Sequence, residues 1–426
     1  MKHKRLIVIG GGAAGFFCAV NAALKNPDLD VTILEKTSKL LSKVRVSGGG
    51  RCNVTHACFS IAEMSKNYPR GEKFVKKSFH HFFTTDTIKW FEERNIKLKT
   101  ETDGRMFPES NSSETIIDCL LREIENTGVK ILINTEVIEI ENPEKEINAS
   151  NGIKSLHNGF LIKCKNDTIM NADFLCIASG GYNKKEQFKW LTKSGHSFEL
   201  PVPSLFTFNI PGNSIIKLMG VTLKDVSVKI PGTGYKQAGP LLITHWGFSG
   251  PAILKLSAFA AKTLSVLQYN FTISVNWLPG LNENLVLAKL KDLQNDLASQ
   301  KIVNRNPFNL PQRFWDYHLK QCGINEDTRW ADLPAKLRNF LAIQLCSQQF
   351  HVKGKTTFKE EFVTAGGIKL SEINAVTMES KIVPHLFFAG EILDVDGITG
   401  GYNFQHAWTS GWLAANTIST LSKEAS

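Results

Sequence analysis

Three glycines near the amino terminus of this 426-residue chain, Gly10, Gly12 and Gly15, have the spacing G-x-G-x-x-G. In this pattern the glycines allow a tight turn, let backbone N–H groups approach a pyrophosphate, and let a helix pack closely on a strand. Glu35 ends a later apolar run and is placed to accept hydrogen bonds from a ribose. These residues predict dinucleotide binding; the alternative is a glycine-rich turn without a ligand.

A strand, a turn and a helix must position these residues. There are two apolar runs, at residues 6–9 and 31–34. Between them, residues 13–24 are mostly types that favour a helix, with few polar residues. In this order the amino terminus of the helix, with its partial positive charge, faces the phosphates. The sequence therefore predicts a strand–turn–helix unit followed by a second strand.

A second glycine-rich segment, residues 47–53 (SGGGRCN), follows the first motif. Three adjacent glycines are not expected to hold a regular helix or strand, because they carry a high entropy cost and no side chains to pack. Arg45 and Arg51 flank the backbone N–H donors of this segment, so we expect it to bind an anion or the edge of a cofactor. A flexible surface loop is the alternative.

Cys52 and Cys58 resemble the redox-active pair of the disulfide reductases, but the spacing differs. Five residues separate these cysteines, one more than in those enzymes, and the approach of two sulfur atoms depends on local geometry. We therefore expect no catalytic disulfide. Cys52 is instead expected to lie beside a flavin, with its neighbour Arg51 lowering the pKa of the thiol.

The carboxyl-terminal part of the chain repeats the strand-into-glycine pattern. Residues 386–391 (LFFAGE) read as a short buried strand ending in glycine and acid, and residues 397–403 precede a helix predicted from Phe404 to about Leu421. Glu391 is expected to bind ribityl hydroxyls, and the amides of Asn403 and Phe404 to stabilise negative charge on a reduced isoalloxazine ring. Both ends of the chain would then build one site, which predicts FAD rather than NAD.

The amino-acid composition limits the classes of protein to which this chain is expected to belong. The chain is 42% hydrophobic and 21% charged, has no apolar run of about 18 residues, and lacks the C-x-x-C spacing of zinc sites. We expect a cytoplasmic globular protein with no metal and no membrane association. The net charge of +10 is consistent with attraction to nucleic acid or to an anionic cofactor or substrate. The densest basic patches, residues 2–5 and 73–77, lack the pattern of an RNA-binding module. A solvated surface is the preferred interpretation, with nucleic acid an unlikely partner.

The pattern of apolar runs and turns predicts three segments. Residues 1–195 form the first part of an FAD-binding domain, residues 196–361 a strand-rich insertion, and residues 362–426 the second part of the FAD-binding domain. Helical periodicity marks about 282–346 within the insertion. We also expect a helix that opens near Gly247 and runs through Leu267.

Four blocks of the sequence resemble one known family. They are residues 10–15, 47–53, 364–367, and 389–403 with its Ala-Gly-Glu, Asp-Val-Asp-Gly and Gly-Tyr-Asn elements. In combination they are similar to the bacterial NAD(P)/FAD-dependent oxidoreductases that include the bile-acid-inducible operon flavoprotein and aminoacetone oxidase-like proteins. The resemblance implies an α/β fold, with an FAD-binding Rossmann-like (glutathione-reductase-like) domain interrupted by a β-barrel-like insertion that carries a helical subdomain.

The candidate cofactor-binding residues come from these segments and the strand ends between them. They are Gly10, Gly12, Ala13, Ala14, Gly15, Glu35, Lys36, Arg45, Ser47, Gly48, Gly49, Gly50, Arg51, Cys52, Asn53, Val137, Ser179, Gly180, Gly390, Glu391, Asn403 and Phe404. Only one G-x-G-x-x-G has suitable flanks, so any NAD(P)H is expected to dock transiently. The sequence indicates no particular catalytic acid or base and no oligomeric state.

The functional hypothesis is an FAD-dependent oxidoreductase. NAD(P)H or an organic substrate would reduce the flavin, and a small enone-like acceptor or oxygen would reoxidise it. One alternative is a flavin-dependent RNA-modifying enzyme, suggested by the basic charge. A second alternative is a non-enzymatic flavin-binding redox module.

Overall fold

The computed structural model describes residues 3–142, 159–356 and 363–424. The chain divides into two compact units, Met1–Pro203 with Lys359–Ser426, and Ser204–Phe358. The second unit is thus inserted into the sequence of the first. The first predicted boundary, 195/196, lies eight residues before the division at 203/204. The second, 361/362, lies three residues after the division at 358/359, where residues 357–362 are outside the described part of the chain.

Helices and strands alternate through most of the first unit and are mixed in the second. The helices are α1 (Ala13–Lys25), α2 (Ser42–Gly50), α3 (Ile61–Ser65), α4 (Glu72–Phe79), α5 (Thr84–Glu92), α6 (Glu114–Thr127), α7 (Lys189–Lys193), α8 (Pro251–Phe259), α9 (Ala261–Val266), α10 (Glu283–Asp296), α11 (Gln312–Gln321), α12 (Ala335–Ser347) and α13 (Tyr402–Glu424). The strands are β1 (Arg5–Ile9), β2 (Asp30–Leu34), β3 (Thr55–His56), β4 (Leu98–Thr100), β5 (Arg105–Pro108), β6 (Lys130–Leu132), β7 (Val137–Glu141), β8 (Phe160–Cys164), β9 (Ile169–Ala172), β10 (Phe174–Ile177), β11 (Phe198–Ser204), β12 (Thr207–Asn209), β13 (Thr222–Lys229), β14 (Lys236–Ile243), β15 (Gly247–Ser249), β16 (Asn270–Asn276), β17 (Gln348–Lys353), β18 (Lys355–Thr356), β19 (Val363–Ile368) and β20 (Leu386–Phe388). Short 3-10 helices lie at Lys185–Phe188, Ser214–Leu218, Ile302–Asn304, Leu370–Glu372 and Gly390–Ile392.

A five-stranded parallel sheet forms the centre of the first unit, in the order β20-β10-β1-β2-β6. Its central strands are almost entirely buried, which explains why they appear in the sequence as continuous apolar runs rather than alternating ones. In such sheets ligands bind outside the carboxyl ends of the strands. The first and last motifs of the chain follow the carboxyl ends of β1 and β20, so the sheet brings them to one edge.

Two helices from opposite ends of the chain pack together on this sheet. A Cβ on Gly411 of α13 would lie 2.7 Å from the Ala14 carbonyl oxygen of α1, so the two helix backbones approach closely. Ser419 Oγ donates to the Ala22 carbonyl at 3.2 Å farther along the same pair. The absence of a side chain at Gly411 therefore permits the tight contact between α1 and α13.

The second glycine-rich segment was expected to hold no regular helix or strand, and its backbone angles agree with this expectation. Hydrogen bonds define α2 through Gly50, but Ser47, Gly48 and Gly49 have non-helical angles inside it. Gly48, Gly49 and Gly50 all have positive φ, at +58°, +70° and +84°. The chain is therefore helical only up to Val46, is extended at Ser47, and turns through left-handed conformations across the three glycines.

The second unit is built on a seven-stranded antiparallel sheet in the order β17-β16-β13-β14-β15-β12-β18. Its two outermost strands, β17 and β18, are separated in the chain by Gly354 alone. Because a single residue links them, the two edges must lie close together and the sheet curls toward a barrel. A separate cluster of buried apolar residues joins α10, α11 and α12, which is the helical part expected near 282–346.

One predicted helix of this unit is corrected by the structure. Gly247 lies in strand β15 rather than in a helix, and the helical stretch begins only at Pro251. The helix also breaks at Ala260 into α8 and α9. The apolar run that suggested one continuous helix reflects burial of both pieces against the sheet.

Two kinds of feature are not found in the described part of the chain. None of the helices within residues 3–142, 159–356 and 363–424 has the length and apolar character needed to cross a membrane. The same residues contain no cluster of three or more histidine, cysteine, aspartate or glutamate side chains able to hold a metal ion.

Candidate functional site

The turn after β1 leaves no room for a side chain at two of the three motif glycines. Gly10 has a φ of +118°, and a Cβ there would lie 2.3 Å from the Ala178 carbonyl oxygen. A Cβ on Gly15 would lie 2.0 Å from the Gly10 carbonyl oxygen. The Gly10 N–H donates to the Leu34 carbonyl at 2.8 Å. The protein fold therefore requires glycine at both positions.

Gly12, by contrast, is not required by the fold. Its φ of −98° and ψ of −173° suit any residue, and a Cβ there would meet no atom within 4 Å. Gly12 begins α1, whose first N–H groups, at Ala13 and Ala14, have no acceptor inside the helix. An open backbone surface at the positive end of a helix dipole fits the pyrophosphate of the predicted dinucleotide.

Glu35, which follows β2, forms a hydrogen bond with this turn. Its Oε2 accepts a hydrogen bond from the Gly11 N–H at 2.9 Å, and its Oε1 accepts from the Thr37 N–H and hydroxyl, both at 2.9 Å. A carboxylate has about four acceptor sites, so capacity for ribose hydroxyls remains. The neighbouring Lys36, also predicted to contact the cofactor, is exposed.

Replacing Glu35 with alanine is expected to weaken FAD binding by about 1.5–3 kcal/mol, because charge-assisted hydrogen bonds to the ribose are lost. Titration of the apoprotein with FAD measures the change. Thr37→Ala is the matched control, since it removes a hydrogen bond of the Glu35 carboxylate without removing the carboxylate. An equal loss of affinity in both variants would mean that Glu35 acts only by holding the loop.

The second glycine segment packs against the beginning of α13. The Asn53 side chain, with its amide oxygen turned toward Gly401, accepts a hydrogen bond of 2.9 Å from the Gly401 N–H. Trp408 Nε1 donates to the Val54 carbonyl at 2.9 Å. Two blocks that lie more than three hundred residues apart in the sequence are therefore in direct contact.

The two arginines that flank the glycines each pair with a carboxylate of the chain. Arg51 donates to Glu101 at 2.6 Å and lies 4.0 Å from the centre of the Phe107 ring, and Arg45 pairs with Glu114. Both guanidinium groups are thus paired with carboxylates of the chain, and their role in binding an anion stays a prediction. The backbone of Gly49 and Gly50, where a Cβ would meet no atom within 4 Å, remains open to a ligand.

Cys52 differs from its predicted character. The side chain is completely buried, and burial raises the pKa of the thiol to about 12, although a hydrogen bond with Ser47 lowers it slightly. The expectation that Arg51 lowers this pKa is therefore wrong, because desolvation dominates. Cys52 and Cys58 are both free thiols in the structure.

Dithionite titration of the oxidised holoprotein is expected to consume one two-electron equivalent per FAD. A redox disulfide between Cys52 and Cys58 would accept two further electrons. Cys58→Ser is expected to give the same stoichiometry and to retain flavin reduction by its donor. A second two-electron equivalent in the wild type, lost in Cys58→Ser, would contradict this prediction.

Glu391 joins three segments at the end of β20. Its Oε1 accepts from the Thr364 N–H at 2.9 Å, and its Oε2 accepts from Lys43 Nζ. A Cβ on Gly181 would lie 2.8 Å from the same carboxylate. Glu391 is therefore held in place by the protein, and its contact with the ribityl hydroxyls stays a prediction.

Gly390 brings the last strand of the sheet against the first helix. Its φ is +75°, and a Cβ there would lie 2.8 Å from the Ala14 Cβ. The Gly390 N–H donates to Ser410 Oγ of α13 at 2.9 Å. The first glycine motif and the carboxyl-terminal motif are thus adjacent in space, as a site built from both ends of the chain requires.

Ser179 and Gly180 follow β10, which lies between β1 and β20. Because the carboxyl ends of parallel strands share one edge, both residues lie at the same edge as Gly10 and Gly390. Gly180 has a φ of +75°, and a Cβ there would meet no atom within 4 Å. Its backbone is therefore open to close approach by a ligand.

The amino terminus of α13 contains the two residues whose amides are predicted to stabilise negative charge on the flavin ring. Asn403 and Phe404 lie in its first turn, where N–H groups have no acceptor inside the helix. The Asn403 side chain accepts from the Gly397 N–H at 2.8 Å and donates to the Gly397 carbonyl at 2.9 Å, which fixes the turn. His406 is buried and its pKa is lowered to about 4 by burial, so it adds no positive charge near neutral pH.

Val137 lies outside the central sheet. It belongs to the three-stranded antiparallel sheet β7-β8-β9 and pairs with Cys164. Two residues earlier, the Thr135 N–H donates to the Glu35 carbonyl at 2.9 Å. The start of this sheet is therefore next to the acid predicted to bind the ribose.

Sequence reasoning missed a segment that holds the carboxyl-terminal motif in place. Tyr68 Oη donates to the Tyr402 carbonyl at 2.6 Å. Arg70 pairs through two nitrogens with Asp396, whose side chain is completely buried. Asp396 belongs to a recognised block, but nothing in the local sequence pattern identified Arg70 as its partner.

The chain matches the family described as HI0933-like protein Rossmann domain over residues 4–417. It is 30% identical over 424 residues to the ribosomal RNA dihydrouridine synthase of Haemophilus influenzae, covering 98% of this chain and 99% of that protein. It is 26% identical over 434 residues to the 3-dehydro-bile acid delta(4,6)-reductase of Clostridium scindens, covering 96% and 98%. The fold is similar to that of 3-ketosteroid delta1-dehydrogenase from Sterolibacterium denitrificans, with a TM-score of 0.51, 12% identity, and 98% and 99% coverage.

These similarities identify the class of protein to which the chain belongs. The predicted α/β fold with a Rossmann-like FAD-binding domain is confirmed, FAD is the cofactor, and the protein is an oxidoreductase. The alternative of a non-enzymatic flavin-binding module is thereby set aside. The chain belongs to the HI0933-like family of Rossmann-domain proteins.

Proposed function

We propose that the protein is an FAD-dependent reductase that saturates a carbon–carbon double bond conjugated to a carbonyl group. The observation that carries this proposal is the chemistry shared by the names of two full-length relatives. Dihydrouridine is uridine whose 5,6 double bond, conjugated to the 4-carbonyl, has been reduced. The delta(4,6) bonds of a 3-dehydro bile acid are conjugated to its 3-keto group. The enone-like acceptor expected from the sequence belongs to the same class.

The residues of the chain would hold and orient the cofactor for this reaction. When bound, FAD would supply the hydride-transfer chemistry that this reduction needs. The backbone at Gly12 binds the pyrophosphate and Glu35 binds a ribose. The first amides of α13, at Asn403 and Phe404, stabilise negative charge on the ring system. Because FAD takes the one dinucleotide motif found in the sequence, an NAD(P)H that reduces the flavin would bind only transiently.

A uracil base in ribosomal RNA is the substrate that the observations favour. The relative named for this activity shares 30% identity over nearly the full length of both chains, and the net charge of +10 suits a polyanionic substrate. A small conjugated ketone is the second candidate, supported by the bile-acid reductase relative. Uracil and the ketone present the same reactive bond, so one mechanism serves both.

Anaerobic mixing tests the proposal. Holoprotein is mixed with NADH or NADPH while bleaching of the flavin absorbance is followed, and the reduced protein is then given in vitro transcribed ribosomal RNA. We expect reoxidation of the flavin with formation of dihydrouridine, detected by mass spectrometry of the digested RNA. A steroid 4,6-dien-3-one serves as the small-molecule acceptor.

The results distinguish the RNA substrate from the small-molecule substrate. Dihydrouridine-free RNA together with reduction of the dienone would favour the small-molecule substrate. Flavin that is reoxidised by oxygen but by neither conjugated acceptor would contradict the proposed reaction. Use of dithionite as reductant keeps the test valid whichever nicotinamide is the natural donor.

A further inference from the structure

Helix α4 carries a row of basic side chains on one face. Lys73, Lys76 and Lys77 of α4 and the C-cap residue His80 have the spacing i, i+3, i+4, i+7, so they share one side of the helix. All four are exposed. We call these four residues the basic stripe. The opposite face of α4 is buried through Phe74, Val75, Ser78 and Phe79.

The lysines of the stripe carry charge that the protein does not neutralise. None of the three forms an ion pair within the described part of the chain, whereas the nearby Lys66 and Arg70 pair with Glu63 and Asp396. Like charges at i, i+3 and i, i+4 weaken a helix by a few tenths of a kcal/mol per pair. The helix dipole offsets this repulsion, because Lys76 and Lys77 lie in the last turn of α4. The stripe is therefore a positively charged surface that a partner of opposite charge would neutralise.

Helix α4 and the residues just before it contact the carboxyl-terminal block 389–403, which we call the cofactor motif. The residue before it, Gly71, has a φ of +82°, and a Cβ there would lie 2.7 Å from the Val395 side chain. Arg70 holds Asp396 in the same loop. Ser78 Oγ donates to the Ala375 carbonyl at 2.7 Å. The stripe is therefore fixed relative to the loop that leads into α13.

An exposed aromatic side chain precedes α4 in the same segment. Phe59 lies between β3 and α3 with 61% of its surface exposed. Strand β3 contacts the cofactor motif, because His56 Nδ1 lies 2.9 Å from the Gly400 carbonyl and the His56 ring stacks on Tyr402 at 4.7 Å. Unpaired RNA bases stack on such exposed aromatic rings.

From these contacts we propose that residues 59–80 form the RNA-docking surface of the enzyme. The basic stripe binds backbone phosphates, and Phe59 stacks on an unpaired base near the one that is reduced. This inference rests on the proposed function for its substrate class. It revises the interpretation of residues 73–77 as an ordinary solvated surface, because the structure attaches them to the cofactor motif.

The test compares the wild-type holoprotein with a variant in which the three stripe lysines are replaced by glutamine. Binding of in vitro transcribed ribosomal RNA is measured over a series of KCl concentrations. The slope of log affinity against log salt is negative, and each lost phosphate contact makes it shallower by about 0.7–0.9. We therefore expect the magnitude of the slope to fall by about two to three in the stripe variant. We also expect its kcat/KM for RNA to be at least about tenfold lower at low salt.

Two matched variants sharpen this result. The control replaces Lys224, Lys229 and Lys236 of the β13–β14 hairpin with glutamine, which removes the same charge from the second unit. We expect its salt slope to equal that of the wild type. Phe59→Ala is expected to lower RNA affinity about tenfold without changing the slope, because stacking is not an ionic interaction. Flavin reduction by dithionite should be unchanged in all three variants.

The outcomes distinguish this inference from the proposed function. An unchanged slope in the stripe variant, an equal fall in the hairpin control, or no RNA binding by the wild type would each overturn the docking surface. RNA binding that depends on the stripe but yields no dihydrouridine would support the surface and contradict the proposed RNA substrate.

Discussion

Gly12→Ala is expected to lower the affinity for FAD at least tenfold while leaving the stability of the apoprotein unchanged. The backbone of Gly12 suits alanine, and its Cβ would meet no protein atom within 4 Å. The added methyl group can therefore interfere only with a ligand that approaches the backbone, as a pyrophosphate does. Titration of the apoprotein with FAD, together with urea unfolding, measures both properties.

Gly15→Ala is the contrasting variant in the same motif. Its Cβ would lie 2.0 Å from the Gly10 carbonyl oxygen, so the strand–turn–helix unit must distort. We expect a lower free energy of unfolding even without FAD. Wild-type FAD affinity in Gly12→Ala would mean that the pyrophosphate does not bind at this turn.

Arg70→Ala is expected to destabilise the protein by about 3–5 kcal/mol, because it removes the guanidinium that neutralises a completely buried carboxylate. The same variant should lose bound FAD, since Asp396 lies in the loop before α13. Urea unfolding and the flavin absorbance of the purified protein provide the two measurements.

Two further variants test whether burial causes the effect. Lys66→Ala breaks the exposed pair with Glu63, in which both side chains are 62% exposed, and is expected to leave stability unchanged. Combining Arg70→Met with Asp396→Leu should recover much of the stability, because an apolar pair needs no desolvation of charge. Equal stability of Arg70→Ala and the wild type would contradict the assigned role of the pair.

Local pattern predicted the elements around the cofactor well. The apolar run at 6–9 became β1, the segment 13–24 became α1 with one further residue, and the helix expected from Phe404 begins at Tyr402. These elements follow from periodicity and turn residues, which are properties of a few neighbouring positions. The spacing of the glycines did not distinguish Gly12, which is open to a ligand, from Gly10 and Gly15, which the fold requires.

Contacts between distant residues were not predictable from one sequence. The pairing of Glu391 with Lys43 joins positions separated by 348 residues, and no local pattern specifies it. Arg51 is the neighbour of Cys52 in the chain, but its guanidinium group points to Glu101, while burial sets the pKa of the thiol. Sequence adjacency was a poor guide to electrostatics here because side-chain direction depends on the tertiary structure.

The packing of α1 against α13 has a consequence for the synthesis of the protein. A nascent chain exposes α1 on the ribosome long before α13 has been translated. The apolar surface of α1 that packs against α13 therefore stays uncovered during this time. The inserted unit, Ser204–Phe358, is continuous in sequence and can fold during that interval. FAD capture is then a late event, because the residues of α13 must emerge before the cofactor site is complete.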